Sequence, residues 1–239
     1  MFINIKKKVF MNIIKEGQEG KGLIIESDGY FDPSYEKNKF ILNEAKENAK
    51  TALINPYIYV ILQRFGAENR NKRVYPEAVL KKAVEEYQFH IKGRSALGAV
   101  DHEDSTNVSL RKDSLGLLLE EAYWEGNALI GKVYLPITRA YRAQGIVSTE
   151  VDHIANLIFE HNIRIGISSR GIGQVKKQGD LSIVTEYNLL CWDWVQMPST
   201  HDSWAMKEES EALALVKTQS IVQPVKTSKF DRLMDMVGR

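Results

Sequence analysis

Two hydrophobic rhythms run along the chain. In "YPEAVLKKAVEEYQFHI" the apolar residues Val79, Leu80, Ala83, Val84 and Tyr87 fall at helical spacing, and Pro76 opens the helix where its missing N–H costs least. "STEVDHIANLIFEHN" predicts a second amphipathic helix with Ser148 or Thr149 as N-cap. "NPYIYVILQRF" is rich in β-branched and aromatic residues and predicts a strand, and "SALGAV" predicts a short one leading to Asp101-His102. "LGLLLEEAYW" and "NALIGKVYLP" predict a hairpin turned at Glu125-Gly126-Asn127. "IRIGISSR" and "LSIVTEYNLLCWDWV", joined through "KKQGDL", predict two more strands. Many strands with two packed helices make an α+β domain or a helix-flanked barrel.

The ends read differently. In residues 1–52, "GQEGKG" is loop-like, "YFDPSYEKNK" is turn-rich and "ILNEAKENAKTAL" has helical composition. This segment is expected as an arm, removable or part of the core. The better-defined domain covers residues 53–207. After Pro198 the chain turns polar, and residues 208–239 are expected as a flexible tail.

Composition narrows the classes. The 239 residues suffice for one large domain or two small ones. Lys and Arg number 32 against 31 Asp and Glu, a net charge of +1, so no bulk charge draws the chain to nucleic acid or a membrane. The single cysteine, Cys191, excludes an internal disulfide framework and suits a reducing compartment. "MFINIKKKVF" lacks the apolar core and cleavage site of a signal peptide, and no apolar run is long enough to span a bilayer.

The chemistry concentrates in "RIGISSRGIG", residues 164–173. By strand alternation Ile163, Ile165, Ile167 and Ser169 share one face; Arg164, Gly166, Ser168 and Arg170 share the other. With the isoleucines turned to the core, Ser168 lies on the open side. Ser168 is then the candidate nucleophile and Ser169 the structural serine. The same residues also describe a strand that ends in small polar residues at a turn.

A serine nucleophile needs a base, and the base needs orienting. His90, His153 and His161 lie on or beside helices, and His201 sits in a polar turn. His102 follows a short strand and opens an acidic loop in "GAVDHEDSTN", where it can reach across a cleft or stand solvated. Asp193 interrupts the apolar "LLCWDWV" and is expected to be partly buried. It can hold the imidazole in the right tautomer, or pair with Arg170 or Arg164. Glu103 and Asp104 are further candidate orienters.

Other features carry less. "GIGQVKKQG" lacks the spacing of a phosphate loop. No Cys/His cluster has zinc-ligand spacing, so no metal or cofactor is expected. Cys191 reads as core. "NRNKRVYP", residues 69–76, is a short basic loop that reads as a solvated turn or a nucleic-acid contact.

Five ordered blocks, "NRNKRVYPEAVLKKAV", "ALGAVDHEDSTNVSL", "AYWEGNALIGKVYL", "IGISSRGIG" and "DWVQMPSTHDSW", resemble the prohead core proteases of large tailed bacteriophages, serine endopeptidases related in fold to the herpesvirus capsid-maturation protease. The resemblance runs from about Asn69 to Trp204. His102 falls on the family histidine, although Ala99 stands where the family has glutamate and Glu103 where it has proline. Ser168 falls on the family serine and Asp193 on the residue that in the herpesvirus enzyme is a histidine.

The resemblance implies a mostly antiparallel β-barrel flanked by helices. It implies a protease that digests the internal scaffold of an immature head and trims capsid proteins before DNA packaging. The enzyme would act in the host cytoplasm, inside the assembling prohead, as a monomer or a homo-oligomer, with no specific nucleic acid and no membrane. The family cuts after glutamate with an aliphatic residue two positions earlier. Backbone N–H groups at Arg170 and Gly171 are the candidate oxyanion hole, with Arg170 assisting through a water. Glu26 and Glu44 are candidate self-cleavage positions. A serine hydrolase acting on another substrate and a catalytically silent head component are the alternatives.

Overall fold

In chain order the elements are β1 (Gly20–Phe31), α1 (Glu36–Asn48), β2 (Tyr57–Arg64), β3 (Arg73–Val74), α2 (Glu77–Lys92), β4 (Leu97–Ala99), β5 (Leu115–Glu125), β6 (Ala128–Tyr134), α3 (Arg139–Gln144), α4 (Glu150–Phe159), β7 (Gly166–Gln178) and β8 (Leu181–Val195). This computed structural model describes residues 12–48, 56–69, 71–101 and 115–195. The chain divides into two units, Met1–His201 and Asp202–Arg239, and every described residue belongs to the first. The predicted tail and His102, Glu103, Asp104 and His201 lie outside the described residues.

The eight strands form one sheet in the order β3-β8-β7-β1-β2-β6-β5-β4. Every pairing is antiparallel except that of β3 with β8. The sheet curls on itself. Just past β4, Val100 bridges Trp194 of β8, and the Asp101 N–H donates to the Trp194 carbonyl at 2.9 Å. The fold is therefore α+β, with a mostly antiparallel, half-closed barrel.

Helices cover the sheet through the faces that the periodicity marked. Leu80, Ala83, Val84, Tyr87 and Ile91 of α2 are buried, and the Tyr87 ring meets Trp192 edge-on at 5.2 Å. Each large apolar side chain so buried contributes about 1.5–3 kcal/mol, enough to dock a helix of this length. Truncating Leu80 to Ala would cost about 2–5 kcal/mol. Helix α4 starts at Thr149, whose side chain accepts from the Asp152 N–H in a capping box. Asp152 in turn accepts from the backbone and hydroxyl of Thr138 and of Ser148, which ties the loop before α3 to α4.

The structure adds to the sequence reading in three places. Residues 20–31, read as an arm or as part of the core, form an interior strand, with β7 on one side and β2 on the other. The polar run "ESDG" hid that strand, because Glu26 and Asp28 are buried there against polar partners instead of facing water. The loop "NRNKRVYP" is only partly solvated: Lys72 is exposed, but its other described polar residues turn inward. Asn69 and Arg73 are buried, and Arg73 pairs with Glu26 at 2.7 Å. Helix α3, six residues long, is too short for periodicity to mark.

Candidate active site

The β7–β8 hairpin brings the serine and the aspartate together. In its antiparallel register Ser168 stands directly opposite Asp193, so both side chains leave the same face. Alternation puts Arg170 on that face too. Its Nε donates to Asp193 Oδ2 at 2.5 Å and its Nη2 to Oδ1 at 3.3 Å. The Ala99 N–H, from the end of β4, donates to Asp193 Oδ1 at 2.8 Å. The Cys191 thiol, two residues before Asp193, lies 3.6 Å from the same oxygen.

Ser168 does not lie on an open side of the strand. It is fully buried, as are Ser169 and Asp193. The alternation is right, but both faces of β7 are covered here. Helix and barrel interior cannot be told apart by a two-residue period alone.

The carboxylate is an ion pair. Burial alone would lower the Arg170 pKa, but the adjacent Asp193 carboxylate more than offsets this and holds it above the ordinary value. The guanidinium that was expected to assist an oxyanion through water is thus committed to Asp193. Arg164, the other partner weighed for Asp193, instead lies 3.6 Å from Asp32. Backbone positions 170 and 171 lie inside a ladder paired with β1 and with β8. That ladder is irregular at this point: Arg170 faces Cys191 while Gly171 faces Leu189, leaving Leu190 as the extra residue.

His102 itself is not described, but the residue before it is. Asp101 takes a left-handed backbone conformation, φ 58°, so the chain turns sharply as it leaves the strand. It does so against Trp194, one residue from Asp193. Gly98 makes that approach feasible, because a Cβ there would run into the Trp192 carbonyl of β8. Asp101, the residue before His102, therefore lies beside the same end of β8 that carries Asp193.

The two candidate self-cleavage positions differ. Glu26 is buried in β1, opposite Ser169, and a protease that needs an extended substrate cannot take it while the sheet is paired. Glu44 is half-buried in α1. Sequence reasoning missed the backbone donor Ala99 and the thiol Cys191 as partners of Asp193. Only the glycine in "LGAV" hinted at the close β4–β8 approach that creates the first contact.

A buried serine and a buried, arginine-paired carboxylate on one face, near the residue that precedes His102, can support acyl transfer if an imidazole joins them. The comparisons with known proteins point the same way. Residues 33–212 match the model of a family described as prohead core protein serine protease. The prohead core protein protease of Enterobacteria phage T4 is 32% identical over 161 residues, which span 64% of this chain and 69% of that protein. The solved structure of the bacteriophage T4 capsid assembly protease has a TM-score of 0.55 at 22% identity, covering 74% of this chain and 99% of that one, a likeness of fold. With most of its length matched by the family model, and with a relative at this identity, the chain belongs to the prohead core protein serine protease family.

Proposed function

We propose that this prohead protease is a serine endopeptidase that digests the internal scaffold and trims capsid proteins of an immature phage head. Its preferred cut follows glutamate with an aliphatic residue two positions earlier. The observation that carries the serine mechanism is the opposition of Ser168 and Asp193 across β7 and β8, beside the Asp101–Trp194 contact from which the chain enters His102.

In this mechanism His102 takes the Ser168 hydroxyl proton as Oγ attacks the peptide carbonyl. The carbonyl electrons move onto oxygen, and N–H groups near Arg170 and Gly171 receive that charge. His102 then protonates the leaving amine, the C–N bond breaks, and an acyl-serine remains. Water, deprotonated by His102, hydrolyses it. Asp193 supports the imidazolium. Because Arg170 already neutralises much of its charge, that support is mainly orientation.

Incubation with the scaffold protein, with and without a serine-directed covalent inhibitor, tests this by mass spectrometry. Cuts after glutamate that the inhibitor abolishes, with an adduct on Ser168, are expected. Cleavage that ignores the inhibitor would count against a serine mechanism, and no cleavage from protein assembled into heads would favour a silent head component. Ester hydrolysis without peptide cleavage would favour another hydrolase.

A further inference from the structure

On the other face of β7 lies a buried polar cluster that the acyl-transfer scheme does not use. Glu26 of β1 is the ladder partner of Ser169. Its carboxylate accepts from Arg73 Nη1 at 2.7 Å, Tyr75 Oη at 3.2 Å, Asn69 Nδ2 at 2.8 Å and Asn71 Nδ2 at 2.7 Å. Arg73 Nη2 also donates to the Ile14 carbonyl. Tyr75 meets Tyr187 edge-on at 5.1 Å, and the Tyr187 hydroxyl donates to Ser169 Oγ at 3.1 Å. A continuous brace thus runs from the N-terminal segment to the residue next to Ser168.

The register of β1 adds to it. Glu26 opposes Ser169 and Gly29 opposes Ile167, so Ser27 and Asp28 together stand opposite Ser168. This is a bulge, a device that aims side chains and favours active sites. Gly29 pins it, since a Cβ there would collide with the carbonyls of Ile61 and Leu62. A strand slip of one residue would exchange the faces of Ser168 and Ser169. The brace opposes that slip, because it binds the Ser169 hydroxyl on its own side.

We infer that the Glu26–Arg73–Tyr75–Tyr187 brace and the β1 bulge select which serine of the pair faces Asp193. Glu26 and Tyr187 are positioning residues for the nucleophile. The inference rests on Ser168 being that nucleophile. It assigns a part in the site to β1, a strand that ends before the family-matched residues begin at 33.

The test uses full-length protein carrying Tyr187→Phe, which removes one oxygen, and Glu26→Gln. The rate of labelling by a fluorophosphonate is measured across pH, at a temperature where circular dichroism shows each variant folded, and the adduct is mapped by peptide mass spectrometry. Displacing a nucleophile by a fraction of an ångström costs rate steeply, so the plateau rate falls roughly 10-fold while its pH midpoint stays. Folded Tyr187→Phe that labels Ser168 at the wild-type rate overturns the inference, whether or not Glu26→Gln folds. An adduct elsewhere in the wild-type protein overturns the nucleophile assignment itself, and the inference with it.

Discussion

Asp193 lies directly across the β7–β8 ladder from Ser168, and its carboxylate is gripped from two sides. Arg170 holds it from the serine's own strand, and the Ala99 N–H holds it from β4. One buried carboxylate therefore joins β7, which carries Ser168, to the end of β4. Its geometric role is as large as its electrostatic one.

The serine pair separates first. Ser168→Ala should reduce scaffold cleavage by roughly 10^4 or more, the loss typical of triad enzymes without their nucleophile. Ser169→Ala removes only the acceptor of the Tyr187 hydroxyl and should cost roughly 10-fold. Initial rates on folded protein compare the two. Equal losses, or a greater loss in Ser169→Ala, would reverse the assignment.

Asp193→Asn should act on stability and turnover together. It leaves Arg170 buried beside a neutral partner, a loss on the order of 3 kcal/mol in denaturant unfolding. Turnover should fall at least 10-fold as the imidazole loses its oriented support. Adding Arg170→Met removes the stranded charge, so the double variant should regain much of the stability and none of the activity. Recovery of activity along with stability would make Asp193 purely structural. The orienter would then be sought at Glu103 or Asp104.

How much of this was legible in the sequence depends on burial. The helix at Thr149 could be read because one side of it faces water, which gives a visible period, and the hairpin "LGLLLEEAYW"/"NALIGKVYLP" because Gly126 marks its turn. Strand β8 also matched its predicted span, Leu181–Val195, since it is bounded by turn residues. Strand β1 did not read as a strand. Its Glu26 and Asp28 are interior groups satisfied by Asn69, Asn71 and Arg73 from a distant loop, and no local pattern reports such pairing. The choice of Ser168 over Ser169 rested on alternation and on the expectation that its face is open, and only the alternation survives. The burial of both, and the commitment of Arg170 to Asp193, follow from covering layers that one strand's sequence cannot display.

The thiol should be inert. Burial, reinforced by the neighbouring Asp193 carboxylate, pushes the Cys191 pKa up to about 12. Near neutral pH almost none of it is thiolate, and the thiolate is the reactive form. Native protein treated with iodoacetamide should keep its activity and remain unmodified at Cys191, while urea-unfolded protein is alkylated. Rapid inactivation with carboxamidomethyl-Cys191 would place a reactive thiol in the site and count against a serine mechanism.

Acid should silence the enzyme well before it unfolds. The mechanism needs a neutral imidazole, and a histidine side chain ordinarily takes up its proton around pH 6.5, so activity should fall as pH drops through that region. Asp152 behaves oppositely. Burial would raise it, but hydrogen bonds from Thr138 and Ser148 more than offset this and hold it below the ordinary 3.8. A depressed carboxyl contributes stability that is complete above its unfolded value and is lost only as pH falls through its folded one. Activity at pH 5 should therefore be low and reversible while far-UV circular dichroism stays native. Loss of both signals together would mean that acid acts on the fold. Asp152→Ala should destabilise at neutral pH by about 1.5–3 kcal/mol, as expected for hydrogen bonds to a charged group.

The last prediction concerns self-processing after Glu44, in "Leu42-Asn43-Glu44" before Ala45. The site lies in α1, where Leu42 and Ala45 are buried, so cleavage requires the C-terminal part of that helix to open. Opening a helix end costs far less than global unfolding, whereas freeing Glu26 would require β1 to leave the interior of the sheet. Two further glutamates follow an aliphatic residue by two positions: Glu120 is held in β5, and Glu160, exposed at the end of α4, follows Ile158 and Phe159, which are both buried. Activated protein should thus acquire Ala45 as a new N-terminus, and Ser168→Ala should stay intact. The released piece should not leave. Strand β1 remains paired with β7 and β2, and Glu26 remains bound to Arg73, so residues 1–44 should co-elute with the body in native gel filtration and separate only in urea. N-terminal sequencing of both fractions decides it. An uncut chain in active enzyme rules out Glu44 as the site, and an active body free of its N-terminal piece would mean that β1 is dispensable once the site is built.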